Sequence, residues 1–109
     1  MSGIRIVFCT FPNTDSARQI GTVLVERQLA ACVNLIPAVE SVYRWQGQVE
    51  SAAETLALFK TSAAVFPEFE RELAALHPYD VPEIVAIEPA AVSETYAAWL
   101  LNTAALPDR

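Results

Sequence analysis

Ala31-Cys32-Val33-Asn34-Leu35-Ile36-Pro37-Ala38-Val39-Glu40-Ser41-Val42-Tyr43-Arg44-Trp45 reads as one extended segment, followed by Gln46-Gly47 and a second apolar run that ends in Leu56-Ala57-Leu58-Phe59-Lys60-Thr61. Period-two alternation puts Val39, Ser41, Tyr43 and Trp45 on one face and Glu40, Val42 and Arg44 on the other. Pro37 cannot donate to a ladder, so the strand is bulged there or lies at a sheet edge. Gln46-Gly47 predicts a tight turn and Val49 to Thr61 a returning strand, which makes an antiparallel hairpin. Fifteen extended residues would span about 50 Å at roughly 3.3 Å each. A compact chain of about 100 residues has a radius of gyration near 13 Å. The hairpin must therefore bend at Pro37 or carry its tip past its own sheet. Tyr43 and Trp45 sit on that tip, and exposed aromatic groups beside unpaired strand edges call for cover by copies of the same chain. The alternative is a monomer in which the hairpin coils back over the sheet.

On the N-terminal side, Ile4 to Phe11 is β-branched, aromatic and nearly continuous in its hydrophobicity, the pattern of a central strand covered on both faces. Pro12-Asn13 ends it, and Asn13 or Thr14 can cap a helix to about Ala30 whose stripe is Ala17, Ile20, Val23 and Leu24. On the C-terminal side, Ser62 can cap a second helix with Pro67 in its first turn and Phe66, Phe69, Leu73 and Leu76 along one face. His77-Pro78 stops it, Glu83 to Ile87 predicts a short buried strand, and a last helix starts near Ser93 with Tyr96, Trp99 and Leu100 as its stripe. The order β-α-β-β-α-β plus a C-terminal helix defines an α+β chain of the split-βαβ, ferredoxin-like kind, an antiparallel sheet with two helices on one face.

The 109 residues suit one domain, 1–109, and 53% hydrophobic residues with 18% charged ones suit a packed core. The formal charge of −6 repels phosphate backbones and offers no basic footprint, so neither nucleic acid nor an anionic membrane is expected as a partner. Cys9 and Cys32 form no CxxC pair and are too few for a disulfide scaffold. No signal-peptide pattern or membrane-length apolar run is seen, and the cytoplasm is the expected compartment.

The single histidine lies in His77-Pro78-Tyr79-Asp80-Val81-Pro82-Glu83, where two prolines stiffen the chain around an imidazole, a phenol and two carboxylates. Such rigidity can preorganise a site or can simply make a stiff helix-to-strand connection. Cys9 and His77 together offer sulfur and nitrogen to copper or zinc, with Glu83 as a further ligand. Without HxxH or CxxC the metal site would be open, exchangeable or completed by another subunit, and Cys9 could equally be a small core hydrophobe. The same pair could be a nucleophile and its base, oriented by Asp80 or Glu83. Phosphate loops and the GxSxG elbow are absent, and catalysis is not expected. Lys60, ending an apolar strand, needs a carboxylate or an anionic ligand, and Glu83 is the partner considered.

Taken together, Cys9-Thr10-Phe11-Pro12, Leu29-Ala30-Ala31-Cys32-Val33-Asn34 with Ile36-Pro37, Tyr43-Arg44-Trp45-Gln46-Gly47, Lys60-Thr61 and His77-Pro78-Tyr79-Asp80-Val81-Pro82-Glu83-Ile84 resemble the CutA family of divalent-cation-tolerance proteins. The resemblance covers nearly the whole chain. It implies a ferredoxin-like homotrimer held by shared strands, with copper or another divalent metal ion as ligand. In members for which copper ligation has been proposed, the ligands resemble a cysteine ending the first strand and two adjacent histidines before Pro-Tyr. Cys9 and His77 match, whereas Leu76 stands at the other histidine position and Asp80 where glutamate is common. By fold-level analogy with PII-type signalling proteins, a regulatory trimer is the second reading. Its intersubunit clefts would bind a small anionic ligand or a partner protein, with Lys60, Tyr79 and Glu83 as contacts.

Overall fold

In the computed structural model, which describes residues 3–107, alternation along the first strand decides which side of the sheet becomes core. β1 (Ile4–Phe11) turns Val7, Cys9 and Phe11 to one face. Against that face pack α1 (Thr14–Glu26) through Ala17 and Leu24, and α2 (Phe66–Leu76) through Phe69 and Leu73. Ala57 and Phe59 of β3 (Gln48–Ser62) complete the layer, and Phe59 meets Phe69 edge-on at 5.1 Å. Each fully buried large side chain here contributes about 1.5–3 kcal/mol of transfer free energy. β2 (Cys32–Trp45) and β4 (Val85–Ile87) finish an antiparallel sheet of order β2-β3-β1-β4, and α3 (Glu94–Thr103) follows. This is the expected ferredoxin-like α+β arrangement, with α1 and α2 on one face. Among the described residues no helix is long and apolar enough to cross a membrane.

Asn13 caps α1 as expected, its side chain accepting from the Ser16 amide at 2.8 Å. The helix ends four residues before Ala30, because Gln28 enters the left-handed region (φ 61°) and the Leu29 amide turns back to the Leu24 carbonyl. Ser62 is the end of β3 rather than a helix cap. Its hydroxyl accepts from the Val65 amide and donates to the Ala104 carbonyl, while α2 begins at Phe66 with Pro67 in its first turn.

The second face of the sheet differs from expectation. β1 is not sealed on both sides: Ile4 is covered by Ala97 and Leu100 of α3 and by Ala104 just after it, but Ile6 and Phe8 stay half-buried. β4 is an edge strand of three residues and is not buried, since Val85 and Ile87 point to this face and are exposed. In α3 the inward residues are Ala97 and Leu100, while Tyr96 and Trp99 are exposed.

Pro37 is accommodated in both ways the sequence allowed. β2 is an edge strand, and the register steps from Ile36↔Leu56 to Val39↔Glu54, a bulge at which Ala38 takes φ 61°. The turn at Gln46 and Gly47 has φ 50° and 81°, the two left-handed residues that suit a two-residue hairpin. β1 pairs with β3 only over Thr55–Ser62, so Val39–Trp45 and Gln48–Glu54 continue as a bare two-stranded ribbon. Seven residues at roughly 3.3 Å make a projection of about 23 Å, and the molecule measures 44 Å along its longest axis.

Candidate functional site

His77 is held where α2 must stop. Pro78 disfavours helical geometry at the residue before it, and His77 is extended (φ −71°, ψ 139°) while its amide still bonds the Leu73 carbonyl at 2.9 Å. The imidazole is thereby laid on Phe11, with ring centroids 4.6 Å apart. The Tyr79 amide donates to Nδ1 at 3.1 Å, and Nε2 lies 2.8 Å from the Thr10 carbonyl. A backbone amide can only donate, so Nδ1 accepts and Nε2 carries the proton that Thr10 receives. The ring is a neutral Nε2–H tautomer with both nitrogens engaged. Burial lowers its pKa from 6.5, outweighing the Thr10 hydrogen bond and the Glu54 charge, which act upward.

The bond from Tyr79 to His77 orients the next ring. Tyr79 tilts against His77 at 4.8 Å between centroids, and its hydroxyl donates to Glu54 Oε2 at 2.5 Å. Burial first, and the bond to Glu54 second, push the phenol's pKa upward, so Tyr79 stays protonated and Glu54 stays its acceptor. Glu54 is itself only 8% exposed, although it begins the stretch where β3 leaves β1.

The ribbon and the 78–83 segment enclose a cleft of about 490 Å³, a volume within the usual range of ligand sites. Three aromatic side chains, Tyr43, Trp45 and Tyr79, line it. Its carboxylates are Glu50, Glu54, Asp80 and Glu83, and among the described residues no lysine or arginine lines it. Tyr43 and Trp45, at 41% and 42% exposure, are thus partly sheltered by their own chain. The most exposed apolar residues of the ribbon are Val42 and Val49, at 67% and 65%, on its other face.

The two thiols and Lys60 are placed differently from Tyr79 and Glu83. Cys9 is fully buried on the helix side of β1, its Sγ 3.8 Å from the Thr10 carbonyl. Burial chiefly, with the charges of Glu83 and Glu54, pushes its thiol up to about 12. Cys32 is half-buried on the open face, 3.5 Å from the Tyr96 hydroxyl. Lys60 does not pair with Glu83. It pairs in register with Ile6 and Cys32, near the C-terminal end of β3 and well beyond Glu54 along the strand, and its ammonium donates to Asn34 Oδ1. Within one chain Lys60 therefore lies apart from Tyr79 and Glu83.

Cys9 and His77 lie at the same end of the sheet, joined through Thr10, but they do not fit a resident metal ion. The thiol is buried and protonated, and neither imidazole nitrogen presents a free lone pair. Among the described residues no group of three or more His, Cys, Asp and Glu side chains is arranged to hold a metal. Burial and the upward shift leave little thiolate on Cys9 at neutral pH, which works against its use as a nucleophile. Sequence reasoning overlooked Glu50 and Glu54. The available signal was parity: Glu50 and Glu54 fall on the same face of β3 as Leu56 and Leu58, where a carboxylate needs a partner.

The sequence pattern of the CutA1 divalent ion tolerance proteins matches residues 5–103. The divalent-cation tolerance protein CutA of Thermus thermophilus is 47% identical over 96 residues, which are 88% of this chain and 93% of that protein. The chloroplastic protein CutA of Arabidopsis thaliana is 38% identical over 98 residues, 90% of this chain, which spans only 54% of that longer relative. The crystal structure of CutA from Xylella fastidiosa superposes with a TM-score of 0.92 at 38% identity, covering 95% of this chain and all of its own.

Proposed function

Because this chain belongs to the CutA1 divalent ion tolerance family, we propose that it is a non-catalytic homotrimer that contributes to tolerance of divalent cations by binding them, copper included, weakly and exchangeably. The observation that carries the assembly is the bare ribbon. A two-stranded hairpin is at best marginally stable in water by itself, yet here seven residue pairs project with Val42 and Val49 in solvent. The open sheet face adds Ile36, Val85 and Ile87, all exposed in one chain. Sister subunits laid along the ribbon would cover both surfaces and would pair its free edges. The cytoplasm, where unpaired thiols stay reduced, suits the free Cys9 and Cys32.

Divalent ions are cargo in this reading. An ion taken by Cys9 and His77 must displace the thiol proton and withdraw the imidazole from Thr10 or Tyr79. Affinity through this pair is therefore low and falls with pH. Sedimentation tests the assembly: three 11.9 kDa subunits are expected at micromolar concentration, and a Val42→Lys, Val49→Lys variant should run as a smaller species. A wild-type chain that sediments as a folded monomer would refute it. Copper titration should release protons and lose its response in a Cys9→Ala, His77→Ala variant; a response that persists would move the ion elsewhere.

A regulatory ligand in the cleft is the second reading, and the cleft's size favours it. Its lining of four carboxylates makes this cleft of the single chain unfavourable for an anion, so an anionic ligand in this reading would bind in clefts between subunits.

A further inference from the structure

β3 parts from β1 at one rung, and that rung is held from both sides. Before Thr55 the strand has no pairing with β1, and Val39–Trp45 and Gln48–Glu54 form the two-stranded ribbon. Successive residues of a strand point to opposite faces, so Glu54 and Thr55 reach out on the two sides of β3. Glu54 accepts from the Tyr79 hydroxyl at 2.5 Å, and Thr55 shares a hydrogen bond of 2.8 Å with Thr14, the first residue of α1. Both are buried, at 8% and 2% exposure, although β1 ends beside them. Among the described residues Arg44 makes the ribbon's other side-chain hydrogen bond, and that one stays within the turn.

The opposite strand bends at the same rung. The bulge in β2 lies between Ile36 and Val39, and Val39 is the residue paired with Glu54. A bulge bends its strand and raises the local twist. Pro37 fixes one backbone dihedral of the bend, and Ala38 is held at φ 61°, a left-handed conformation that a residue with a Cβ keeps only where its surroundings impose it. Bend and side-chain bonds together leave the ribbon one direction. The lever is long enough for this to matter: a swing of about 10° would move the tip of a ribbon of about 23 Å by roughly 4 Å, close to the spacing of roughly 4.8 Å between paired strands.

We propose that Tyr79 and Thr14, acting on Glu54 and Thr55, clamp the root of the hairpin ribbon and so preset the angle at which it meets a sister subunit. The consequence for assembly rests on the homotrimer reading. Contacts that repeat head to tail form a ring only when the rotation between neighbours closes, and run on as open chains when it does not. The ribbon's angle sets that rotation, so the clamp selects the closed ring over open or irregular assemblies. Tyr79 and Thr14 are positioning residues in this scheme, and neither has to touch the neighbouring subunit.

Wild-type protein is compared with Tyr79→Phe, with Thr55→Val, which keeps the shape of the side chain, and with Glu54→Gln, which keeps an oxygen for the Tyr79 hydroxyl. Amide hydrogen exchange is followed by mass spectrometry over the ribbon, residues 39–54, and over the body strands, residues 4–11 and 56–62; sedimentation velocity gives the sizes at one micromolar concentration. Tyr79→Phe should speed exchange in the ribbon by about tenfold or more, the factor expected when a hydrogen bond to a charged group is lost, with the body strands unchanged. It should also broaden the single wild-type species into smaller and larger ones. Thr55→Val should act in the same direction and less, and Glu54→Gln should stay close to wild type. Unchanged ribbon exchange in both Tyr79→Phe and Thr55→Val, or loosening spread evenly over ribbon and body, would overturn the clamp. A loosened ribbon in an unbroadened trimer would overturn its role in assembly. A wild-type chain that sediments as a monomer would refute the trimer reading, while the exchange comparison would still decide the clamp.

Discussion

Protonating His77 should destabilise the fold, and the geometry says by which route. In the neutral ring Nδ1 accepts from the Tyr79 amide while Nε2–H serves the Thr10 carbonyl. A second proton has to sit on Nδ1, where it faces another donor, so the Tyr79 bond is lost and a charge is placed in a buried pocket. The sign follows from the lowered pKa. The unfolded chain takes the proton near 6.5 and the folded chain only at lower pH. The stabilisation is therefore fully present above 6.5 and is lost as pH falls from there to the folded value. One proton sets a ceiling of about 1.4 kcal/mol of stability per pH unit in that window. His77→Asn removes the titration while its side-chain oxygen can still accept from Tyr79. It should cost about 1–3 kcal/mol at pH 8, from the Thr10 hydrogen bond and the stack on Phe11. The assay is urea unfolding of both proteins between pH 5 and 8 at one fixed protein concentration, because subunit association adds its own stability. Wild type should lose stability toward the acid end faster than the variant. Parallel curves over that range would refute the assigned tautomer and its burial.

Two further outcomes are expected. With its thiol pushed up to about 12, Cys9 carries roughly one thiolate in ten thousand at pH 8, so iodoacetamide should modify the half-buried Cys32 first and Cys9 only on unfolding; equal rates, followed by mass spectrometry, would contradict the buried placement. Gln46 pays for a left-handed conformation that asparagine tolerates better, and Gln46→Asn should raise stability by about 0.5 kcal/mol in thermal unfolding.

The features that the sequence made legible are those set by local chemistry. Alternation from Val39 to Trp45 fixed the two faces of the ribbon, Gln46-Gly47 fixed its turn, and Asn13 fixed the start of α1; each depends on residues within a few positions of one another. Helix ends were less legible, because a non-glycine residue such as Gln28 can close a helix in the left-handed region without a compositional signal. The burial of β4 was misjudged for a related reason. A run of Ile84-Val85-Ala86-Ile87 reads the same whether a layer covers one face or two, and its outward face is open in a single chain.

The cleft was legible in part, and the division is instructive about where function enters this fold. The stiff segment around His77 and Tyr79, and the aromatic tip at Tyr43 and Trp45, both stood out as separate features. What joins them is Glu54, 25 residues from Tyr79 in sequence and 2.5 Å away in space. That contact exists because β3 runs past the end of β1 while α2 delivers the Pro78–Glu83 turn to the same end. The length of the hairpin thus acts twice, once by leaving a ribbon that invites sister subunits, and once by carrying a carboxylate and two aromatic rings into a cleft that the core alone would not form. A shortened hairpin would remove the proposed surface for assembly and the cleft together.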